Sequence, residues 1–382
     1  MFTYLKKFIL WLRRLTDQDE LEIHKFFFNK TFFKTKTNTA SDALRLMNLN
    51  YFKLCISIER YYHGYKQYNR SFRKELYENL KNLEIEFNEF SKTNSVDIIS
   101  EITKFGLRFN DDELKRLKYI KLISQFFRNR ENFKYKESVN LSQSLIPKDD
   151  VFYFDCNQIC NLYIHLYSLE FDAADLRVKL PKDHVCLHFK GIDIEATNGE
   201  FLIYNEVQET YPITEMISVN MLDVSDLEFE QFKIKPRKFY KLINLAKFLS
   251  NNPVIENNIQ VSYQKMALFY LDKTNTKSAE FFIKKISNLE LAKKMYYNLT
   301  VKLISLKEFG KAKYYIKKFH FDNLMLQIYS FEYDKLYKKI KNIKTLKEAS
   351  KHKPTYKKML KIAFKMKDDK LIASLKDTLK NL

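Results

Sequence analysis

Apolar side chains return every three or four positions along much of the first hundred residues. Leu44, Met47, Leu54, Ile58, Tyr61, Tyr62 and Tyr65 make one stripe. Phe72, Leu76, Leu80, Leu83 and Phe87 make another, with Glu75, Glu78, Lys81 and Glu84 on its polar side. That period predicts helices that each turn one face to a core. A Thr- and Asn-rich break over Lys34–Ser41 predicts an exposed turn among them. Two more helices are predicted over Ser95–Arg108 and Asp111–Asn129.

The pattern changes after residue 150. Ile159, Cys160, Leu162, Tyr163, Ile164, Leu166, Tyr167 and Leu169 are apolar almost all round, which predicts a helix inside a domain rather than on its surface. Asp155 stands where that helix needs an N-cap, with Cys156 in its first turn. Alternation follows: Val185, Leu187 and Phe189 share one face of a short strand, and His184, Cys186 and His188 the other. Lys190-Gly191 predicts a tight turn into a second strand, with Ile192 and Ile194 on one side and Asp193 and Glu195 opposite. Phe201–Tyr204 continues the sheet, and the helical period returns from Arg237 to the end.

The last stretch carries a weak repeat. Tyr263, Ala267, Tyr270, Ala279, Ile283 and Ile286 recur 33 residues later as Tyr296, Thr300, Leu303, Ala312, Ile316 and Phe319. Aromatic and small positions in this order resemble tetratricopeptide-type helix pairs, whose small residues let paired helices approach closely.

Composition narrows the picture. Five Gly and six Pro in 382 residues argue against a loop-rich all-β fold and for helices. The four cysteines (Cys55, Cys156, Cys160 and Cys186) show no disulfide or zinc spacing, so a reducing, cytoplasmic setting is expected. There is no phosphate-cradling glycine loop and no His-Glu-x-x-His, so no cofactor and no metal site are implied.

The net charge is +20, from 67 Lys+Arg against 47 Asp+Glu. Lys, Asn, Ile, Phe and Tyr are abundant together, as in proteins of AT-rich genomes, so nucleic acid is not expected as a partner. Asp334–Leu382 alone holds 16 Lys against 5 acids, read by default as solvated helix faces. Met1–Thr16 is basic and amphipathic; a helix packed on its own domain is preferred to peripheral membrane contact, and Phe8 to Leu12 is too short to cross a bilayer.

The candidate chemistry lies in Val151–Gly199. A cysteine at a helix N-terminus meets backbone N–H groups and the positive end of the dipole, which favour a thiolate. A histidine to take its proton and an acid to orient that histidine would complete a nucleophilic triad. His184 heads the following strand, and the hairpin lays Asp193 or Glu195 beside it; spacing alone leaves that choice open. Cys160 is the fallback nucleophile, His188 the weaker base, and His165 is expected to be packed.

A Cys at a helix start, a Pro-x-x-His strand (Pro181–His184) and an acid before a small residue, Thr and a nearby Gly (Glu195-Ala196-Thr197-Asn198-Gly199) together resemble the transglutaminase-like superfamily of papain-fold cysteine enzymes. Phe154 stands where that family usually has Gly, and Glu195 where Asp is commoner. The resemblance implies Cys156 as nucleophile, His184 as base and Glu195 as orienting acid, and a catalytic domain beginning near Asp111. It also singles out Tyr135, in the Phe-x-Tyr segment before the nucleophile, as a candidate oxyanion donor or a packing residue.

The expected fold is then α+β and predominantly helical. A helical region (1–110) precedes a papain/transglutaminase-like core (111–205), a connecting segment (206–236) and a helical, tetratricopeptide-like region (237–382). The expected activity is that of a peptidase or amidase, in preference to a cross-linking enzyme, acting on a protein or peptide. The alternative is an inactive scaffold whose C-terminal helices bind a protein partner.

Overall fold

A computed structural model describes residues 15–28, 36–63, 67–223, 235–250 and 252–382. The basic helix expected over Met1–Thr16 falls outside them as far as residue 14. Helices α1 (Gln18–Phe28), α2 (Lys36–His63), α3 (Arg70–Thr93), α4 (Ile99–Thr103) and α5 (Asp111–Arg128) come first. Strands β1 (Phe133–Tyr135) and β2 (Phe152–Phe154) lead to α6 (Cys156–Tyr167). Next are β3 (Arg177–Lys179), β4 (Cys186–Phe189), β5 (Ile192–Glu195), β6 (Glu200–Leu202) and β7 (Tyr211–Pro212). Helices α7 (Glu215–Leu222), α8 (Pro236–Leu249), α9 (Pro253–Asp272), α10 (Thr276–Ile283), α11 (Leu289–Ser305), α12 (Phe309–Phe319), α13 (Asp322–Tyr337), α14 (Leu346–Lys351), α15 (Lys353–Met366) and α16 (Asp369–Asn381) complete the chain. The protein is α+β and mostly helical. Among the described residues no helix is long and apolar enough to cross a membrane.

The helical start of α2 corrects one expectation. Lys34–Ser41 reads as an exposed turn, yet the chain is helical from Lys36. Thr and Asn weaken a helix by only some tenths of a kcal/mol each. Ala43, Leu46 and Met47 are fully buried just beyond, and their packing holds the turns before them. The break falls instead at Asn50, which is extended (φ −169°) and accepts the Lys53 N–H at 2.9 Å, restarting the helix as an N-cap does.

The chain forms two compact units, Met1–Ser262 and Tyr263–Leu382. In the first, α6 is the axis. Every residue from Gln158 to Tyr167 is buried, and the helix packs on α2, α5, α7, β2 and β4. Strands β3 to β7 form an antiparallel sheet in the order β6-β5-β4-β3-β7, and β1 pairs with β2 in parallel. The β4–β5 hairpin turns on Lys190 and Gly191, both at positive φ (48° and 94°), and its register sets Leu187 opposite Ile194 and His188 opposite Asp193.

In the second unit, ring packing repeats at an offset of 33 residues. The Tyr263 ring lies 6.4 Å from Phe282, and Tyr296 lies 5.3 Å from Tyr315. Ala279 and Ala312 are both fully buried where helices meet. The far end closes on a cluster of Ile340, Met359, Ala363 and Leu375.

Candidate active site

Three turns of chain bring the candidate residues together. Strand β2 ends at Phe154, and Asp155 follows with an extended backbone and a buried side chain. Its carboxylate accepts the Gln158 N–H at 2.9 Å and the Val139 N–H at 3.2 Å, so α6 starts at Cys156. Burial first, and the charge of Asp223 second, raise the Asp155 pKa above the ordinary carboxylate range. The Cys156 side chain is half-buried, whereas Cys55, Cys160 and Cys186 are buried, and all four thiols are free. Burial pushes those three other thiols well above the ordinary thiol range.

His184 stands just before β4 rather than within it. The turn Pro181–His184 closes with the His184 N–H donating to the Pro181 carbonyl at 3.2 Å, with Asp183 at φ +56°. The imidazole Nε2 lies 2.7 Å from Glu195 Oε2. That leaves Nδ1 as the ring nitrogen not engaged by Glu195. The hydrogen bond with Cys156, then the one with Glu195, raises the His184 pKa to about 10 against the opposing effect of burial.

Glu195 ends β5 and is 5% exposed. Burial alone would raise its pKa, but hydrogen bonds from His184, Thr197 and Tyr204 overcome that and hold it at about 2. Thr197 donates both its backbone N–H and its hydroxyl to Oε1, and the Tyr204 hydroxyl donates to Oε2. The tyrosine ring also meets His184 edge-on at 6.2 Å.

Asp193, the alternative acid, is committed elsewhere. It is fully buried, with His188 Nδ1 at 2.6 Å, Lys179 Nζ at 2.7 Å and the Tyr204 N–H at 2.7 Å. His188 Nε2 accepts the Gly191 N–H at 3.1 Å, so Nδ1 carries the proton given to Asp193. Asp193 and His188 therefore brace the hairpin and the Tyr204 backbone. Cys160 lies one turn inside α6 with its sulfur 3.7 Å from the Val185 carbonyl. His165 is buried on the same helix, its Nε2 at 2.7 Å from Glu84. Tyr135 is 54% exposed beside Phe154, and its pKa is raised, chiefly by partial burial of its hydroxyl.

An open cleft of about 520 Å³ runs past the sulfur and the imidazole. Cys156, Asn157 and Pro181–Val185 form one wall; Val219, Pro253, Val254, Asn257 and Asn258 form another. Tyr204 and the α9 residues carry no motif that marks them in the sequence, whereas Thr197 belongs to the Glu195–Gly199 motif. Tyr204 reads only as the end of a strand, and Pro253–Asn258 only as part of the helical stretch that runs from Arg237. Among the described residues no three His, Cys, Asp or Glu side chains cluster as a metal would require.

Compared with protein-family models, curated proteins and solved structures, the chain gives no match.

Proposed function

We propose that the chain is a transglutaminase-like cysteine enzyme with a papain-type core, hydrolysing amide bonds in a protein or peptide through Cys156, His184 and Glu195. One observation carries the reading: a half-buried sulfur and an imidazole line the same wall of an open cleft, and that imidazole is hydrogen-bonded to a buried carboxylate behind it. Of the cysteines, Cys156 is the one that lines that cleft.

The sulfur, its proton passed to His184 Nδ1, adds to the amide carbonyl carbon, and the carbonyl oxygen takes the negative charge. Asp155 already accepts the N–H groups of Asn157 and Gln158, which leaves the Cys156 N–H as the first-turn donor for that oxyanion. The tetrahedral adduct collapses as the C–N bond breaks and His184 gives its proton to the departing amine. Water, deprotonated by His184, then splits the thioester and releases the acid. Glu195 keeps Nε2 engaged throughout, so Nδ1 alone faces the reaction. The C-terminal helices are proposed as tetratricopeptide-like pairs, in keeping with the inward positions that recur at 33 residues.

Hydroxylamine tests the reading because it intercepts a thioester. A tryptic peptide library incubated with the protein and hydroxylamine should yield peptide hydroxamates, detected by mass spectrometry. Cys156→Ala and His184→Ala should yield none, and Cys160→Ala should behave as wild type. If Cys156→Ala gives the same products, or wild type gives none, the hydrolase reading fails and the scaffold reading replaces it.

A further inference from the structure

The positive charge of this protein is not spread along the chain. Residues 263–382 hold 29 lysines, no arginine and 11 acidic residues, a surplus of 18 out of the net +20. The first unit, with 38 basic and 36 acidic residues, is nearly neutral. A genome-wide lysine bias acts on both units alike and does not produce this division. Lys284, Lys311 and Lys313 pair with carboxylates, but 11 acids cannot neutralise 29 ammonium groups in any arrangement.

Aromatic rings stand out among these lysines. Phe281, Tyr314 and Phe364 are 48%, 58% and 51% exposed. Each has an ammonium group beside it: Lys285 at 4.9 Å, Lys318 at 5.9 Å and Lys376 at 5.4 Å from the ring centre. Phe281 and Tyr314 are the sixth residues of α10 and α12, 33 residues apart, and Lys285 and Lys318 keep the same offset. The rings next to them, Phe282 and Tyr315, turn inward and are buried. Successive helix pairs thus present the same outward couple, one open ring and one cation. On α15, Phe364 lies amid exposed Lys357, Lys358, Lys361 and Lys365, and that helix has no acidic residue.

We infer that the second unit binds single-stranded nucleic acid, with bases stacking on Phe281, Tyr314 and Phe364 and phosphates meeting the lysines. A ring with an adjacent cation matches the chemistry of one nucleotide, a flat base and a charged phosphate. Lysine meets phosphate as a point charge, and without arginine the unit lacks the fork that reads guanine edges, so binding is independent of sequence. An anionic membrane would take up the charge but has no use for rings repeated at a fixed offset.

The test is fluorescence anisotropy of the full chain with a labelled mixed-sequence oligonucleotide of about 20 residues, single-stranded and duplexed, between about 50 and 200 mM salt. Single strands should bind more tightly than duplex, with affinity falling steeply as salt rises. Replacing Lys357, Lys361 and Lys365 by Gln should flatten the log–log salt slope by about 2, at roughly 0.7 for each phosphate no longer neutralised. Replacing Phe281, Tyr314 and Phe364 by Leu should weaken single-strand binding at least about fivefold and leave the slope unchanged. Circular dichroism checks that each variant is folded. The inference is overturned if the ring variant binds as wild type does, or if duplex binds as tightly as single strand. It is also overturned if phosphatidylglycerol vesicles hold the chain at a salt concentration that releases the oligonucleotide. Cys156→Ala should bind as wild type, so failure here leaves the thiol chemistry untouched.

Discussion

Glu195 and His184 shift in opposite directions: Cys156 first and Glu195 second raise His184, while the bonds from His184, Thr197 and Tyr204 outweigh the burial of Glu195 and lower it. Glu195 falls from 4.5 to about 2, and His184 rises from 6.5 to about 10. The carboxylate's contribution to stability is therefore complete above pH 4.5 and is lost as pH falls from there towards 2. The imidazolium's contribution is complete below pH 6.5 and is lost as pH rises from there towards 10. Both are present only in the window between. Glu195→Gln should then cost about 1.5–3 kcal/mol near pH 5.5, the worth of a hydrogen bond to a charged group. The cost should shrink towards pH 3 and again towards pH 9.5, which urea unfolding at the three pH values measures. A cost that stays flat across the range would mean that the pair is not ionised in the fold. At this scale the sequence was informative but incomplete. Asp193 and Glu195 lie on the same side of one strand and spacing could not separate them. What separates them is Lys179 and His188, which claim Asp193, and Tyr204, which reaches Glu195 from beyond the next strand.

Single elements depend on partners that no local pattern announces. Helix α3 has the apolar stripe expected of it, Leu76, Leu80, Leu83 and Phe87, yet the same buried face begins with Arg73, which is fully buried. Its guanidinium donates to Glu20 at 2.7 and 3.1 Å and to the Tyr68 carbonyl, and the Tyr77 hydroxyl and Thr16 N–H complete the Glu20 carboxylate. Arg73→Met leaves that carboxylate buried and uncompensated, and should cost about 3–5 kcal/mol in urea unfolding. A loss below about 1 kcal/mol would place the pair in water. A charged residue at a core position in one helix and its partner fifty residues earlier are individually unremarkable in sequence. Only the fold joins them. The hairpin, by contrast, was legible because alternation and Lys190-Gly191 are local signals, and so was α6, whose N-cap and apolar run are contiguous.

Over the whole molecule, the helical character and the small sheet follow from periods of 3.6 and 2 and from the scarcity of Gly and Pro. The division at Ser262/Tyr263 falls inside helix α9, whose helical period runs on across it and conceals it, though the 33-residue repeat starts at Tyr263. Charge, averaged over the chain, also hid its own distribution. The central claim is that folding sets one thiol apart from three others, and iodoacetamide alkylation near neutral pH, resolved cysteine by cysteine by mass spectrometry, tests it most directly. Cys156 should react at least about tenfold faster than Cys55, Cys160 and Cys186, whose burial keeps them protonated and shielded. His184→Ala should remove most of that advantage. Equal rates at the four cysteines, or a Cys156 rate indifferent to His184, would contradict the account.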